Sequence, residues 1–147
     1  MKLSRVGVDL AKNVYQLHGV DRLGKTVWKR RLRRGQWLQV LTDNVEPGCE
    51  IGMEACTGAH HWARELRKLG HEPRLMAPQF VAPYRKNDKN DRNDAAAICE
   101  AAGRPNMRFV PIKNVEQQAV LALHRARQGF VKARTAQANQ IRGLLGE

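Results

Sequence analysis

The chain has 147 residues, 26 of them Lys or Arg and 14 Asp or Glu, which gives a formal net charge of +12 at pH 7. This length suits one domain with a real core, and the positive charge exceeds what solubility requires, so a phosphate backbone is the expected partner. No apolar run is long enough to span a bilayer and no signal peptide precedes Val6, so we expect a cytoplasmic location and no membrane partner. The three cysteines lack CxxC spacing, which argues against a disulfide framework or a zinc site.

The first part of the sequence predicts a three-stranded meander. Residues 3–10 predict a buried strand, and residues 14–20 and 25–33 alternate as two further strands. A helix over 35–44 and a fourth strand over 49–53 follow. Next come a helix that begins at Thr57-Gly58 and ends at Gly70, and a fifth strand over 71–76.

The second part of the sequence predicts helices. Residues 78–84 indicate a short helix or turn, and a charged loop then leads into an alanine-rich helix over about 91–102. Apolar residues at helical spacing from about Val115 onward predict one long helix. This order of elements is that of a ribonuclease H-like domain. We therefore predict an α/β fold with a mixed five-stranded sheet flanked by helices, followed by a long C-terminal helix.

Four acids occupy informative positions in this order. Asp9 ends the apolar run of the first strand, Glu54 follows the fourth strand, and Asp91 and Asp94 open the alanine-rich helix. Because the first and fourth strands are neighbours in such a fold, Asp9 and Glu54 should lie side by side, with the helix acids across them. Asp91 and Asp94 are equally well explained as residues that cap a helix, but all four together predict a site for divalent ions. Hard oxygen ligands favour Mg²⁺, with Mn²⁺ as a substitute.

Two groups of cations surround these acids. In the third strand, Lys29, Arg31 and Arg33 share one face, whereas Arg30 and Arg34 lie on the other. Charge protects an edge strand from aggregation, but five cations in six residues exceed that need and favour phosphate contacts. The second group flanks the helix acids and is expected to bind neighbouring phosphates: Arg85, Lys86, Lys89 and Arg92. Asp88, within the same loop, is interpreted as a solvated acid or a residue that supports the site.

Three segments, residues 6–12, 53–62 and 89–95, resemble the DEDD-type insertion-sequence transposases, the group related to the Piv invertase. The resemblance spans essentially the whole chain. It implies that residues 1–112 form a RuvC-like catalytic domain whose metal-binding acids are Asp9, Glu54, Asp91 and Asp94. It also implies that residues 113–147 begin a coiled-coil linker to a C-terminal domain that bears a catalytic serine, which is absent from this chain.

The same resemblance implies partners and a host. DNA is the expected substrate, a guide (bridge) RNA the expected second partner, and the long helix the expected route to a homo-oligomer in a bacterial or archaeal cell. The chain alone is then not expected to complete strand exchange.

Two other functions stay open. One is a ribonuclease H-like junction resolvase or nuclease, and the other is a non-catalytic RNA-binding and dimerisation module. A sugar kinase or actin-like ATPase is disfavoured because the hairpin after Asp9 lacks a glycine-rich phosphate loop.

Overall fold

The computed structural model of the protein describes residues 2–85 and 91–146, without the side chains of residues 91–93. The chain forms two compact units, the first ending at Ile112 and the second beginning at Lys113.

The first unit is built on a mixed sheet. Its described strands are β1 (Arg5–Leu10), β2 (Val14–Val20), β3 (Thr26–Arg33), β4 (Glu50–Glu54), β5 (Glu72–Met76) and β6 (Phe109–Val110). They lie in the order β3-β2-β1-β4-β5-β6. β1 pairs antiparallel with β2 and parallel with β4, which in turn pairs parallel with β5. The predicted α/β, ribonuclease H-like architecture is confirmed, with the first and fourth strands as neighbours.

The described sheet has six strands where the sequence predicts five. The extra strand, β6, pairs antiparallel with β5 through Leu75 and Val110. It contains two residues, Phe109 and Val110, which is too short for an alternating pattern to reveal.

Helices cover both faces of the sheet. On one face, α1 (Trp37–Asn44) and α2 (Ala59–Lys68) pack on alternate strand residues such as Val6 and Val8, which are fully buried. On the other face lies α4 (Asp91–Ala102), which buries Ile98 and Ala101 in a second cluster with Met76. A short helix, α3 (Pro78–Val81), and a single 3-10 turn, Ala82–Tyr84, lead out of β5.

Two glycines bring α4 close to the sheet. A Cβ atom on Gly7 of β1 would lie 2.7 Å from the Cβ atom of Cys99 and would overlap the backbone oxygen of Ala95. A Cβ atom on Gly52 of β4 would lie 2.8 Å from that of Ala102. Since real Cβ atoms do not approach so closely, only glycine permits this packing, which fixes the height of α4 above β1 and β4.

An ion-pair cluster joins the parallel strands at their other end. Glu50 of β4 accepts a hydrogen bond from Arg5 Nε of β1 at 3.0 Å and another from Arg74 Nη2 of β5 at 2.7 Å. All three side chains are about a quarter to a third exposed, so the cluster is partly shielded from water. It holds β1 and β4 in register at the end opposite Asp9.

The second unit is one helix, α5 (Val115–Leu144), of 30 residues. Asn114 caps it, because its side chain accepts from the backbone N–H of Gln117 while the Gln117 side chain accepts from that of Asn114. No residue of α5 is buried. Its large exposed apolar side chains are Val115, Val120, Leu123, Phe130, Val131, Ile141 and Leu144. Across residues 2–85 and 91–146, no helix is both long and apolar enough to cross a membrane.

Candidate nucleic-acid and metal site

Asp9 and Glu54 lie at the same end of two neighbouring strands. The parallel register pairs Val8 of β1 with Met53 of β4, so the next residue on each strand is one of the two acids. Both acids are partly buried. Adjacent strands are about 4.8 Å apart, so the two backbones present their carboxylates side by side, as the strand order predicts.

Asp94 reaches this strand end from the opposite layer. It precedes Ala95, whose backbone contacts Gly7, and Gly7 lies two residues before Asp9 on the same strand face. The close approach of α4 to β1 therefore sets Asp94 above the strand ends. The structure thus places Asp9 and Glu54 at neighbouring strand ends and Asp94 in the first turn of the helix that packs over β1.

Arg85 joins two of these acids. Its Nη2 atom contacts Glu54 Oε1, and its Nε atom lies 3.1 Å from Asp94 Oδ1. Arg85 follows the 3-10 turn, so one guanidinium connects the end of β4 with the first turns of α4. The sequence gives no sign of this contact, because Arg85 is 31 residues from Glu54 and belongs to a run of charged residues.

The charges at this site affect one another. Burial raises the pKa of the Glu54 carboxyl, Arg85 lowers it and the negative charge of Asp94 raises it, with an upward net direction. The pKa of the Cys56 thiol is also raised, first by loss of hydration and then by the negative charges of Glu54 and Asp9. Cys56 follows β4 by two residues, and its thiol is close enough to both acids to respond to them. The charge of Asp94 thus acts on Glu54, and the charges of Glu54 and Asp9 both act on Cys56.

The donor chemistry suits a hard cation. Glu54 and Asp94 already share the positive charge of Arg85, and carboxylate oxygens are the ligands that Mg²⁺ and Mn²⁺ prefer. As they stand, the described His, Cys, Asp and Glu side chains form no group of three or more that could hold a metal ion. The side chain of Asp91, the fourth predicted ligand, lies outside the described set, although the backbone of Asp91 begins α4 as predicted.

The cations of β3 separate into two faces. Strand register places Lys29 beside His18 and Arg31 beside Gln16, and Gln16 pairs in turn with Asp9. Lys29, Arg31 and Arg33 therefore share the strand face of Asp9. Two strand spacings put the backbone of Arg31 about 10 Å from that of Asp9, within reach of a phosphate near the acids.

A cleft extends this basic face toward the far end of α4. It has a volume of about 750 Å³ and lies between α4 and the β2–β3 hairpin. Its lining includes Lys29, Arg5 and Arg104, with His18 hydrogen-bonded to Thr26 at 3.0 Å. The basic face next to the acids therefore continues into a cleft, in which Arg5 is paired with Glu50 and Arg104 with Glu100.

Arg30 and Arg34 lie against aromatic rings. The guanidinium carbon of Arg30 is 5.8 Å from the ring centre of Trp28, and that of Arg34 is 5.9 Å from that of Trp62. Trp62 also donates a hydrogen bond to the hydroxyl of Tyr15 at 2.9 Å. Trp28 and Trp37 are themselves buried in the core.

Other predicted phosphate contacts fall outside the structure. Lys86 and Lys89 lie outside the described residues, as does Asp88, and so does the side chain of Arg92. Their assignment stays a prediction, as does the phosphate-binding role of the β3 cations.

Known transposases are similar to this chain over nearly its whole length. A family model of the DEDD IS110 type, described as a transposase, matches residues 6–147. A probable family 20 transposase of Pseudomonas aeruginosa is 58% identical over 147 residues, which is 100% of this chain and 43% of that protein.

Two further relatives are named for insertion sequences. The transposase for insertion sequence element IS1111A of Coxiella burnetii is 51% identical over 142 residues, covering 97% of this chain and 38% of that protein. The transposase for insertion sequence element IS1328 of Yersinia enterocolitica is 44% identical over 142 residues, covering 97% of this chain and 42% of that protein. The chain spans about two fifths of the length of these curated relatives.

Proposed function

Because the chain belongs to the IS110-type DEDD transposase family, we propose that it forms the acid-bearing catalytic domain of an enzyme that cuts and rejoins DNA. The observation that carries this proposal is the convergence of Asp9 and Glu54, at adjacent strand ends, with Asp94 of α4. Acids are rarely gathered in this way without a cation to offset their repulsion, since a partly buried carboxylate resists losing its hydration.

We propose that Asp9, Glu54, Asp91 and Asp94 hold Mg²⁺, with Mn²⁺ as a substitute. Such ions supply activation of an attacking oxygen and stabilisation of a leaving one at a phosphodiester. The protein provides rigid placement: parallel pairing fixes Asp9 and Glu54, and the glycine contacts fix α4. Rigid elements keep ligands at their working distances without further reorganisation.

The basic face supports DNA as the substrate. Lys29, Arg31 and Arg33 lie on the face of the sheet that presents Asp9, so a DNA backbone held by these cations passes the acids. A guide RNA is proposed as a second partner on the strength of the family resemblance and the +12 charge. Self-association through α5 is proposed from its exposed apolar side chains.

A thermal-shift titration tests the metal site. Mg²⁺ or Mn²⁺ should stabilise the protein, because an ion that binds only the folded state adds about 2.7 kcal/mol at 100 times its Kd. The double substitution Asp9→Asn and Asp94→Asn should abolish this gain and leave binding to duplex DNA largely intact.

The control removes two acids away from the site. Asp43 of α1 accepts a hydrogen bond from Gln39 on an exposed helix surface, and Glu65 of α2 pairs with Lys68. Asp43→Asn with Glu65→Gln should keep the full response to metal. An undiminished response in the Asp9 and Asp94 double variant would exclude the site. DNA or RNA binding without any metal response in the wild-type chain would favour the non-catalytic module.

A further inference from the structure

Arg85 contacts two acids that come from different layers of the fold. Its Nη2 atom donates a hydrogen bond to Glu54 Oε1 at the end of β4, and its Nε atom lies 3.1 Å from Asp94 Oδ1 in α4. Arg85 is more open to water than either acid, with 39% of its side chain exposed against 17% for Glu54 and 31% for Asp94. The guanidinium therefore contacts both carboxylates while the Arg85 side chain stays partly open to solvent.

A divalent ion would use the same oxygen atoms. Charge-assisted hydrogen bonds to a guanidinium occupy carboxylate lone pairs, and those lone pairs are what Mg²⁺ coordinates. Two positive groups a few ångströms apart also repel each other strongly in a partly buried site. Arg85 and a metal ion consequently compete for Glu54 and Asp94.

We propose that Arg85 is an internal counter-cation that holds Glu54 and Asp94 together in the metal-free protein and is displaced when a divalent ion binds. This inference rests on the proposed metal site. The displaced guanidinium stays tethered next to that site and becomes free to bind a DNA phosphate. Arg85 is thus a positioning residue that couples metal binding at the acids to the affinity for DNA. The coupling is reciprocal, so bound DNA should also strengthen metal binding.

The first test is the affinity for Mn²⁺, measured by titration calorimetry on the whole chain. Arg85→Ala removes the competitor and should tighten Mn²⁺ binding by about tenfold, because the ion then no longer has to displace two partly exposed ion pairs. Arg85→Lys keeps the charge but not the planar two-point contact, so its affinity for Mn²⁺ should lie between those of the wild type and Arg85→Ala. Arg31→Ala, which removes a cation from the same face about 10 Å away, is the matched control and should change the affinity by less than about twofold.

The second test is the affinity for a short duplex DNA, with and without Mg²⁺, by fluorescence anisotropy. Without Mg²⁺, Arg85 is held by the acids, so Arg85→Ala should weaken DNA binding less than twofold. With Mg²⁺, the wild-type guanidinium is free, and the same substitution should weaken binding about fivefold, as expected for the loss of one phosphate contact. A loss that is equal under both conditions would overturn the proposal.

The failure of this inference can be told apart from failure of the metal site. If Asp9→Asn with Asp94→Asn leaves Mn²⁺ binding unchanged, the proposed site is wrong. If that double variant loses Mn²⁺ but Arg85→Ala binds it no more tightly than wild type, the site stands and the role of Arg85 is wrong. Thermal unfolding of Arg85→Ala, compared with Arg85→Lys, verifies that the fold is kept in both variants.

Discussion

At the scale of single residues, Cys56 is a natural reporter of the acid site. The charges of Glu54 and Asp9 help to raise the pKa of its thiol. Asp9→Asn or Glu54→Gln should each remove one negative charge, lower that pKa and speed alkylation by iodoacetamide at a fixed pH, since only the thiolate reacts. The measurement is the alkylation rate as a function of pH, whose midpoint should move to lower pH in both variants.

The chain offers controls for this reporter. Cys49 and Cys99 are buried, and burial raises the pKa of Cys49 to about 12 and that of Cys99 to about 11, so both react slowly at moderate pH. Glu65→Gln removes an acid of α2, a helix that begins after Cys56, and should leave the midpoint of Cys56 alkylation unchanged. A midpoint that moves for Glu54→Gln but not for Asp9→Asn would place Asp9 away from the other acids.

At the scale of elements, the glycines under α4 determine the height of the acid-bearing helix. Gly7→Ala puts a methyl group against the Ala95 backbone and the Cys99 side chain, where the helix must move or the strand must bend. We expect a loss of about 2–3 kcal/mol in the free energy of unfolding, as for other overpacked cores, measured by urea denaturation. Gly35→Ala is the control: nothing lies within 4 Å of its added Cβ, so its stability should stay within about 0.5 kcal/mol of wild type. Equal stability of the two variants would show that α4 is not held by this contact.

Sequence patterns revealed the elements well because the relevant signals are local. Buried runs ending at Asp9 and before Glu54 mark two strands, and the succession of elements predicts that those strands are neighbours. Helix bounds also followed from local signals, such as the turn at Gly58 and the break after Ala102. β6 is not predicted, because a strand of two residues is too short to show an alternating pattern.

Contacts between side chains that are far apart in the sequence cannot be predicted from local patterns. The Arg85 bridge and the Arg5–Glu50–Arg74 cluster each join elements far apart in the chain. Their geometry depends on strand register and on the height of a helix, which no local pattern encodes. The sequence therefore predicts that Asp9 and Glu54 lie at neighbouring strand ends, and the structure adds the cation that lies between Glu54 and Asp94.

At the scale of the whole molecule, the arrangement of charge matters more than its total. The α4 face of the sheet presents Arg31 and Arg33, whereas Arg67 and Lys68 lie at the end of α2, which packs on the opposite face. The two pairs are equally charged and exposed, so their removal lowers the net charge by the same amount. Any difference between the two double variants therefore reports position.

The last prediction concerns the salt dependence of binding to duplex DNA. Arg31→Ala with Arg33→Ala should reduce the slope of log affinity against log salt by about 1.8, because each lost phosphate contact contributes about 0.9. Arg67→Ala with Lys68→Ala should leave the slope nearly unchanged, and its broken surface ion pair with Glu65 costs little stability. The slopes come from anisotropy titrations at several salt concentrations on two unrelated DNA sequences, since backbone contacts act on both alike. Equal slopes for the two double variants would mean that DNA does not follow the face that presents Asp9.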